Sequence, residues 1–349
     1  MASLHMQGNP WFFFPLLVGA LCCHAEPSPE LKSYLRDKAR FTDKEIASID
    51  RGVAIAKLLP TKTPAEVFVV GIVHIQSTPE EYVHLAFNLD RLRKLPGYLD
   101  VQKVHQRPQI SDFQGFTLEP EDIQALRTCR PGRCDIQLPA EVMEALKNGI
   151  DWSQPDVEEQ INLRLQKKVL AALTDYQANG NSVLTTYHDK DEPFHIRQQF
   201  QDWLERSVGL SDYLPKLSEY LLEYPRVKPP HGESLFYWEK VNFGMKPTIR
   251  LNHAITYRAD HPETDDRIVV VKQLYASHYF QLALDLSACV PKDPMNPQAG
   301  FYLVTLKGSI QQGFTGFRGA FLRQIATSKT RSAQEKGLIG IKTELEKKR

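Results

Sequence analysis

The sequence predicts an α+β fold: an antiparallel sheet, a long C-terminal helix and a mostly helical insertion. Three observations predict it. "EVFVVGIVHIQS" (66–77) is a dense run of β-branched residues, followed at once by the helix-start chemistry of "STPEEYV". Residues 110–230 carry repeated helix starts with apolar residues at i, i+3 and i+4. From residue 234 the apolar period returns to two over "SLFYWEKVNF", "PTIRLNHAITYRA", "RIVVVKQLYASHYFQLALDLSACV" and "GFYLVTLKG", and a helical tail follows from about 309.

Taken in order, the N-terminus carries "PWFFFPLLVGALCCHAEPSPE". Its apolar run is too short to cross a bilayer of about 30 Å but has the length of a signal-peptide core, with small residues at Cys23 and Ala25 around a cleavage point. Residues 1–25 are therefore read as a signal peptide and the protein as exported, periplasmic or secreted; no later stretch is long and apolar enough to be a transmembrane span. Removing that segment leaves Cys129, Cys134 and Cys289. "CRPGRC" encloses the turn pair Pro131-Gly132, so a disulfide between Cys129 and Cys134 is expected in an oxidising compartment, and Cys289 reads as a buried thiol.

Residues 26–64 form an N-terminal helical segment, with Leu31, Tyr34, Leu35, Ile46, Ile49, Val53 and Ile55 at roughly helical spacing. After the first strand, Ser77 or Thr78 caps a helix that Pro79 opens and Glu80-Glu81 suit electrostatically. "YLDVQKVHQ" (98–106) is a second strand. Within the insertion, Gly180 and its flanking asparagines end the longest helix, and residues 220–230 form an exit linker. The late strands, the third long enough to be two, are separated by "GMKP", "DHPETDD" and "PKDPMNPQAG", which suits an antiparallel meander. In the tail, Phe314, Phe317, Phe321 and Ile325 form a stripe, and Gly313, Gly316 and Gly319 allow close packing onto the sheet.

Composition narrows the function. With 349 residues, 42% hydrophobic and 24% charged, the chain is ordinary globular protein. Lys+Arg 43 against Asp+Glu 42 gives a net charge of +1, so no field draws it to nucleic acid or anionic lipid. G-x-S-x-G, P-loop, G-x-G-x-x-G and H-E-x-x-H motifs are absent, and no cofactor is implied.

The polar residues on apolar faces are the informative ones. In "LYASHYFQLALDL" (274–286), His278 shares the parity of Leu274, Phe280 and Leu282; in "TIRLNHAITY" (248–257), His253 shares that of Ile249, Leu251, Ile255 and Tyr257, with Arg250, Asn252 and Thr256 outside. An unpaired buried imidazole costs on the order of 1–3 kcal/mol, so each needs a partner: a neighbouring side chain or carbonyl, a water, a metal or a ligand. Pairing within the core is the commoner arrangement. A metal would want a third ligand, for which His74, His188 and Asp189 are the candidates. The cluster "TTYHDKDEPFH" (185–195) reads as a solvated inter-helix loop, with metal binding or acid–base chemistry as its alternative. Trp238, in an aromatic strand, packs a core or floors an apolar pocket.

The order of a strand, "STPEEYV" opening a helix, a run of antiparallel strands and a long final helix resembles the START-like, helix-grip superfamily, which includes pollen-allergen-like and polyketide-cyclase-like proteins. The resembling parts lie at 66–90 and 234–345, within a domain split between 65–109 and 231–349; residues 110–230 are an insertion in it. The resemblance implies a curved antiparallel sheet wrapped on the long C-terminal helix, with an apolar cavity between, and no fixed catalytic residues. It implies a protein that binds a lipid-like or other apolar small molecule in that cavity, with His253, His278, Tyr257, Phe280 and Trp238 lining it. Two alternatives stand beside it. One is a cyclase- or hydrolase-like enzyme using the same pocket; the other is an envelope interaction protein with a filled core.

Overall fold

The computed structural model describes residues 27–206, 214–227, 232–258, 266–314 and 316–347, without the side chains of 206 and 316–318. The expected signal peptide, most of the "DHPETDD" turn, the end of the exit linker and the side chain of Phe317 lie outside the described residues.

The fold is α+β. Its strands are β1 (Ile55–Leu58), β2 (Glu66–Ile75), β3 (Tyr98–Val104), a short ribbon of β4 (Thr186–Tyr187) and β5 (Phe194–His195), then β6 (Ser234–Val241), β7 (Thr248–Arg258), β8 (Arg267–Ala276), β9 (Phe280–Pro291) and β10 (Phe301–Gln311). Eight of them form one open sheet in the order β1-β2-β10-β9-β8-β7-β6-β3, antiparallel throughout. The long third run is indeed two strands. It breaks at Ser277-His278-Tyr279, where Tyr279 takes φ 60°. The parity read across 274–286 therefore does not continue through the turn.

Local chemistry accounts for the helices. Ahead of β1 come α1 (Pro29–Ser33) and α2 (Asp43–Asp50), the latter closed by a Thr42–Glu45 capping box. The helical reading of 26–64 stops short, because Ile55 belongs to β1 and Val53 is exposed. Next, α3 (Pro79–Ala86) starts at Thr78 with Pro79 at its first position and a Glu81 capping box, and α4 (Leu89–Arg93) follows. The insertion supplies α5 (Pro120–Leu126), α6 (Ala140–Lys147), α7 (Val157–Asn179), α8 (Ile196–Arg206) and α9 (Pro215–Glu223). The Cys129–Cys134 disulfide closes the "CRPGRC" turn. At Gly180, φ 60° ends α7 and brings the backbone so close to Tyr224 that a Cβ would fall 1.6 Å from its carbonyl oxygen. The expected exit linker is thus partly α9 and partly the cis Tyr224-Pro225 segment packed on the end of α7.

Register assigns the two faces. Gly71, Thr305, Ser287 and Val269 pair across four strands and share one face; Val70, Leu306, Leu286, Val270 and Ile255 share the other. The final helix, α10 (Gly316–Glu346), lies on the first face beside β2 and β10, together with α3 and α4. The second face is covered by α1 and α2 at one end and by the insertion over the rest. The sheet is therefore buried on both sides, which explains why β2 is apolar at nearly every position.

Three expectations about these faces need correction. His253, Tyr257 and Trp238 lie on the insertion face, opposite the C-terminal helix, because the insertion needs an apolar surface to fold on. Arg250 and Asn252, read as outside, are on the helix face, where Asn252 is fully buried and Arg250 Nη1 pairs with Glu239 at 3.2 Å. The aromatic stripe of the tail meets the sheet only at its start among the described side chains: Phe314, ahead of the helix, packs with Ala56, Val67 and Val69, while Phe321 is 65% exposed and Ile325 40% exposed. Contact comes instead from Leu338 and Leu345, and Gln334 Nε2 donates to Thr305 Oγ1. Gly319 packs against the Gly313-Phe314 backbone, not against the sheet.

Gly71 is where the helix comes down on β2. A Cβ there would sit 2.8 Å from Leu338 Cδ1 and 2.9 Å from Gln334 Cγ. Gly71→Val is expected to lower stability by about 1–3 kcal/mol through overpacking, read as a lower denaturant midpoint with faster amide exchange around Leu338. An unchanged midpoint would mean the helix does not seat there.

Candidate functional site

The predicted site residues separate in space. His278 sits in the β8–β9 turn, its Nε2 2.8 Å from Asp122 Oδ2 and its Nδ1 3.1 Å from the Asp135 carbonyl. Both ring nitrogens are engaged and the ring is buried, so it ties α5 to the sheet turn. Burial pushes the Asp122 carboxyl up, but its bonds to His278 and Lys246 outweigh that and hold it below the ordinary carboxylate range. Trp238 is a core residue; its Nε1 donates to the Asp112 carbonyl at 2.7 Å and its ring meets Phe116 edge-on. Tyr257 is buried among α8 and α9 residues. Phe280 is half-buried beneath the Arg250 guanidinium. Of the five, His253 alone borders a cluster with unusual chemistry.

That cluster is built on the register of β7 and β8, where His253 pairs directly with Lys272. Both point into the insertion, and both are about 1% exposed. Lys272 Nζ donates to Tyr176 Oη at 3.3 Å and to Asn181 Oδ1, and lies 4.1 Å from the centre of the Phe200 ring. Among the described residues no carboxylate pairs with it. Burial alone lowers its pKa from 10.5 to about 7, since a charged amine in this enclosure has ring faces and neutral oxygens in place of water.

Tyr176 comes from the apolar stripe of α7 and sits between the two bases. It accepts from Lys272, so its hydroxyl hydrogen is directed to His253 Nδ1 at 3.3 Å. This network assigns the proton of neutral His253 to Nε2, which is buried without a partner among the described residues. Burial, and then the Lys272 charge, push His253 well below its ordinary pKa, so the ring stays neutral. Burial and the neighbouring Tyr224 and Tyr220 push the Tyr176 phenol up, so it stays protonated. Phe236 stacks on His253 at 4.4 Å, and Tyr224 meets it at 4.8 Å.

A cleft opens next to this cluster. Its volume is about 370 Å³, and it lies between the end of α7, the 180–183 turn, α8 and the Tyr224-Pro225 segment. Asn181 and Phe200 line it, and these are the side chains that hold the Lys272 amine. Asn181 is itself fixed, its Nδ2 donating to the carbonyls of Leu221 and Leu222 at 2.8 Å each. Leu222, Tyr224 and Pro225 give the cleft an apolar side; Arg197, Gln201 and Arg226 give it a polar one. Arg226 pairs with Glu223, whereas Arg197 is exposed. A second cavity of about 300 Å³ lies between the β1–β2 turn and α10, lined by Leu58, Leu59, Val67, Phe68 and Arg323. None of the five predicted ligand-contacting residues lines either space.

The metal alternatives disperse. His74 Nε2 is 2.9 Å from the Ala299 carbonyl, His188 Nδ1 is 3.1 Å from the Thr186 carbonyl, and Asp189 Oδ2 accepts from Gln312 at 2.7 Å. Among the described residues no three such side chains converge. No helix among the described residues is long and apolar enough to cross a membrane.

Sequence reasoning missed Lys272, Tyr176 and Asn181. Lys272 could have been found: in "RIVVVKQLY" it has the parity of Ile268 and Val270, an amine at an inward position of a β-branched strand. Tyr176 and Asn181 carried no comparable signal.

The sign of the Lys272 effect on stability follows from its two states. Between pH 7 and 10.5 the unfolded chain holds a proton that the folded chain has released, so stability rises with pH across that window, with a slope approaching about 1.4 kcal/mol per pH unit. Lys272→Met is expected to remove this slope, so that denaturation curves of the variant and the wild type draw together from pH 7 to 10. Parallel curves would contradict the buried, uncompensated amine. In comparison with known proteins, no protein-family model and no curated protein matches the chain, and the chemistry of this site is the guide to its function.

Proposed function

We propose that the chain is an exported small-molecule-binding protein whose ligand is lipid-like, an amphiphilic carboxylate lodged in the cleft within the helical insertion. One observation carries this reading: the cleft wall includes Asn181 and Phe200, which shield a buried amine that meets no carboxylate among the described residues. A volume of about 370 Å³ falls within the usual range for ligand pockets. Arg197 suits an anionic head at the mouth, and Leu222, Tyr224 and Pro225 suit an apolar body. The disulfide supports export, because such bonds persist in oxidising compartments.

A second reading keeps the ligand where the START-like resemblance implies, against the C-terminal helix. The strand order, the α3–α4 pair after the first long strand and the final helix agree with that resemblance in outline. The mixed apolar cavity of about 300 Å³ beside Arg323 and Thr327 favours it.

Native mass spectrometry with decanoate, oleate and their methyl esters tests the two together. The first reading expects the carboxylates to bind, the esters to bind at least about tenfold more weakly, and Arg197→Ala to lose the same factor. Binding that ignores Arg197→Ala but is abolished by Val67→Trp would move the ligand to the helix side. No binding across the panel would overturn both.

A further inference from the structure

We propose that Lys272 is a carbonyl-reactive lysine: its amine forms an imine with an aldehyde or ketone group carried by the molecule that occupies the insertion cleft. The inference rests on the reading of that cleft as a ligand site and gives the ligand a second functional group.

The geometry supports it in three ways. A lysine kept only for structure in a sheet is ordinarily met by a carboxylate, which holds the proton in place. Lys272 has instead an amide oxygen, a phenol and two ring faces, none of which compels protonation. The amine stands directly behind Asn181 and Phe200 of the cleft wall, and a ligand carbonyl reaches it when the Asn181 side chain gives up its bonds to the Leu221 and Leu222 carbonyls. Finally, Lys272, Tyr176 and His253 form a continuous chain from amine to phenol to imidazole, with the ring nitrogen Nδ1 as terminal acceptor.

The step balances without any redox partner. Lys272 first loses its proton to water, as its pKa of about 7 allows at neutral pH. The free amine nitrogen then forms a bond to the carbonyl carbon; the carbonyl π pair moves to oxygen, and a proton moves from nitrogen to oxygen to give the carbinolamine. Loss of the hydroxyl, with one proton taken back from water, releases one water and leaves the carbon–nitrogen double bond. Burial lowers the Lys272 pKa to about 7, which makes the free amine accessible at neutral pH. Tyr176 acts here as a positioning residue, its hydroxyl oxygen holding the amine.

The test uses the full chain with pyruvate or benzaldehyde as probe and sodium borohydride as trap, at neutral pH, followed by peptide mapping. The expected result is a borohydride-stable adduct on Lys272, formed at least about tenfold faster than on exposed lysines. Tyr176→Phe is expected to slow trapping at Lys272 about tenfold and to leave exposed lysines unaffected. Labelling of exposed lysines with Lys272 untouched overturns the proposal. Labelling of Lys272 at an unchanged rate in Tyr176→Phe overturns the positioning role of Tyr176. Carboxylate binding in the cleft without labelling of Lys272 overturns this inference and keeps the cleft reading; neither binding nor labelling overturns both.

Discussion

A single amine in the middle of a two-sided sheet constrains the rest of this molecule. Lys272 enters from β8 with apolar strands on both sides and a helical layer closing above it. Buried charge is tolerated only where something replaces water. The insertion supplies the replacement from three separate elements: Tyr176 from α7, Asn181 from the turn after it and Phe200 from α8. Those elements meet because Gly180 turns sharply enough to admit the Tyr224 carbonyl. The insertion is thus a layer that completes the cluster, packed on the sheet face opposite the C-terminal helix.

The sheet was readable because its signals are local. The β-branched density of β2, the Thr78 cap, the turn residues between late strands and the disulfide pair each act within a few residues. What could not be read was which face each helical layer covers. A strand buried on both sides loses its alternation, so parity in "TIRLNHAITY" separates two faces without saying which meets the C-terminal helix. The more apolar parity belongs to the insertion face. The helix face carries Glu239, Arg250, Asn252 and Gln273, whose polar groups partly satisfy one another or backbone: Arg250 pairs with Glu239, and Gln273 Nε2 donates to the Phe280 carbonyl. The tail divides for the same reason: of its apolar stripe at 314–325, Phe314 packs on β1 and β2 whereas Phe321 and Ile325 are exposed, and further along the sheet receives Leu338 and Leu345.

The candidate site was legible in one residue of four. His253 was singled out by parity, and it does sit in a polar network, though as a neutral terminal acceptor beneath the insertion. Lys272 was hidden by its type, since lysine in a strand is ordinarily read as edge or surface. Tyr176 and Asn181 are joined to it by contacts 96 and 91 residues apart in sequence, which no local pattern encodes. His278 shows the converse: an equally pointed sequence signal resolves into a sealed, fully bonded turn. Two histidines with the same appearance in sequence thus differ by one nitrogen, His253 Nε2, that finds no partner among the described residues.

The account depends on the state of that amine. Protein labelled with 13C at lysine Cε, assigned by loss of one signal in Lys272→Met, reports the Lys272 titration directly by NMR. A midpoint near pH 7 is the result this account predicts, because no carboxylate among the described residues compensates the burial. A midpoint close to 10.5, the ordinary lysine value, would mean that Lys272 is hydrated or paired, and the reactive cleft would lose its basis.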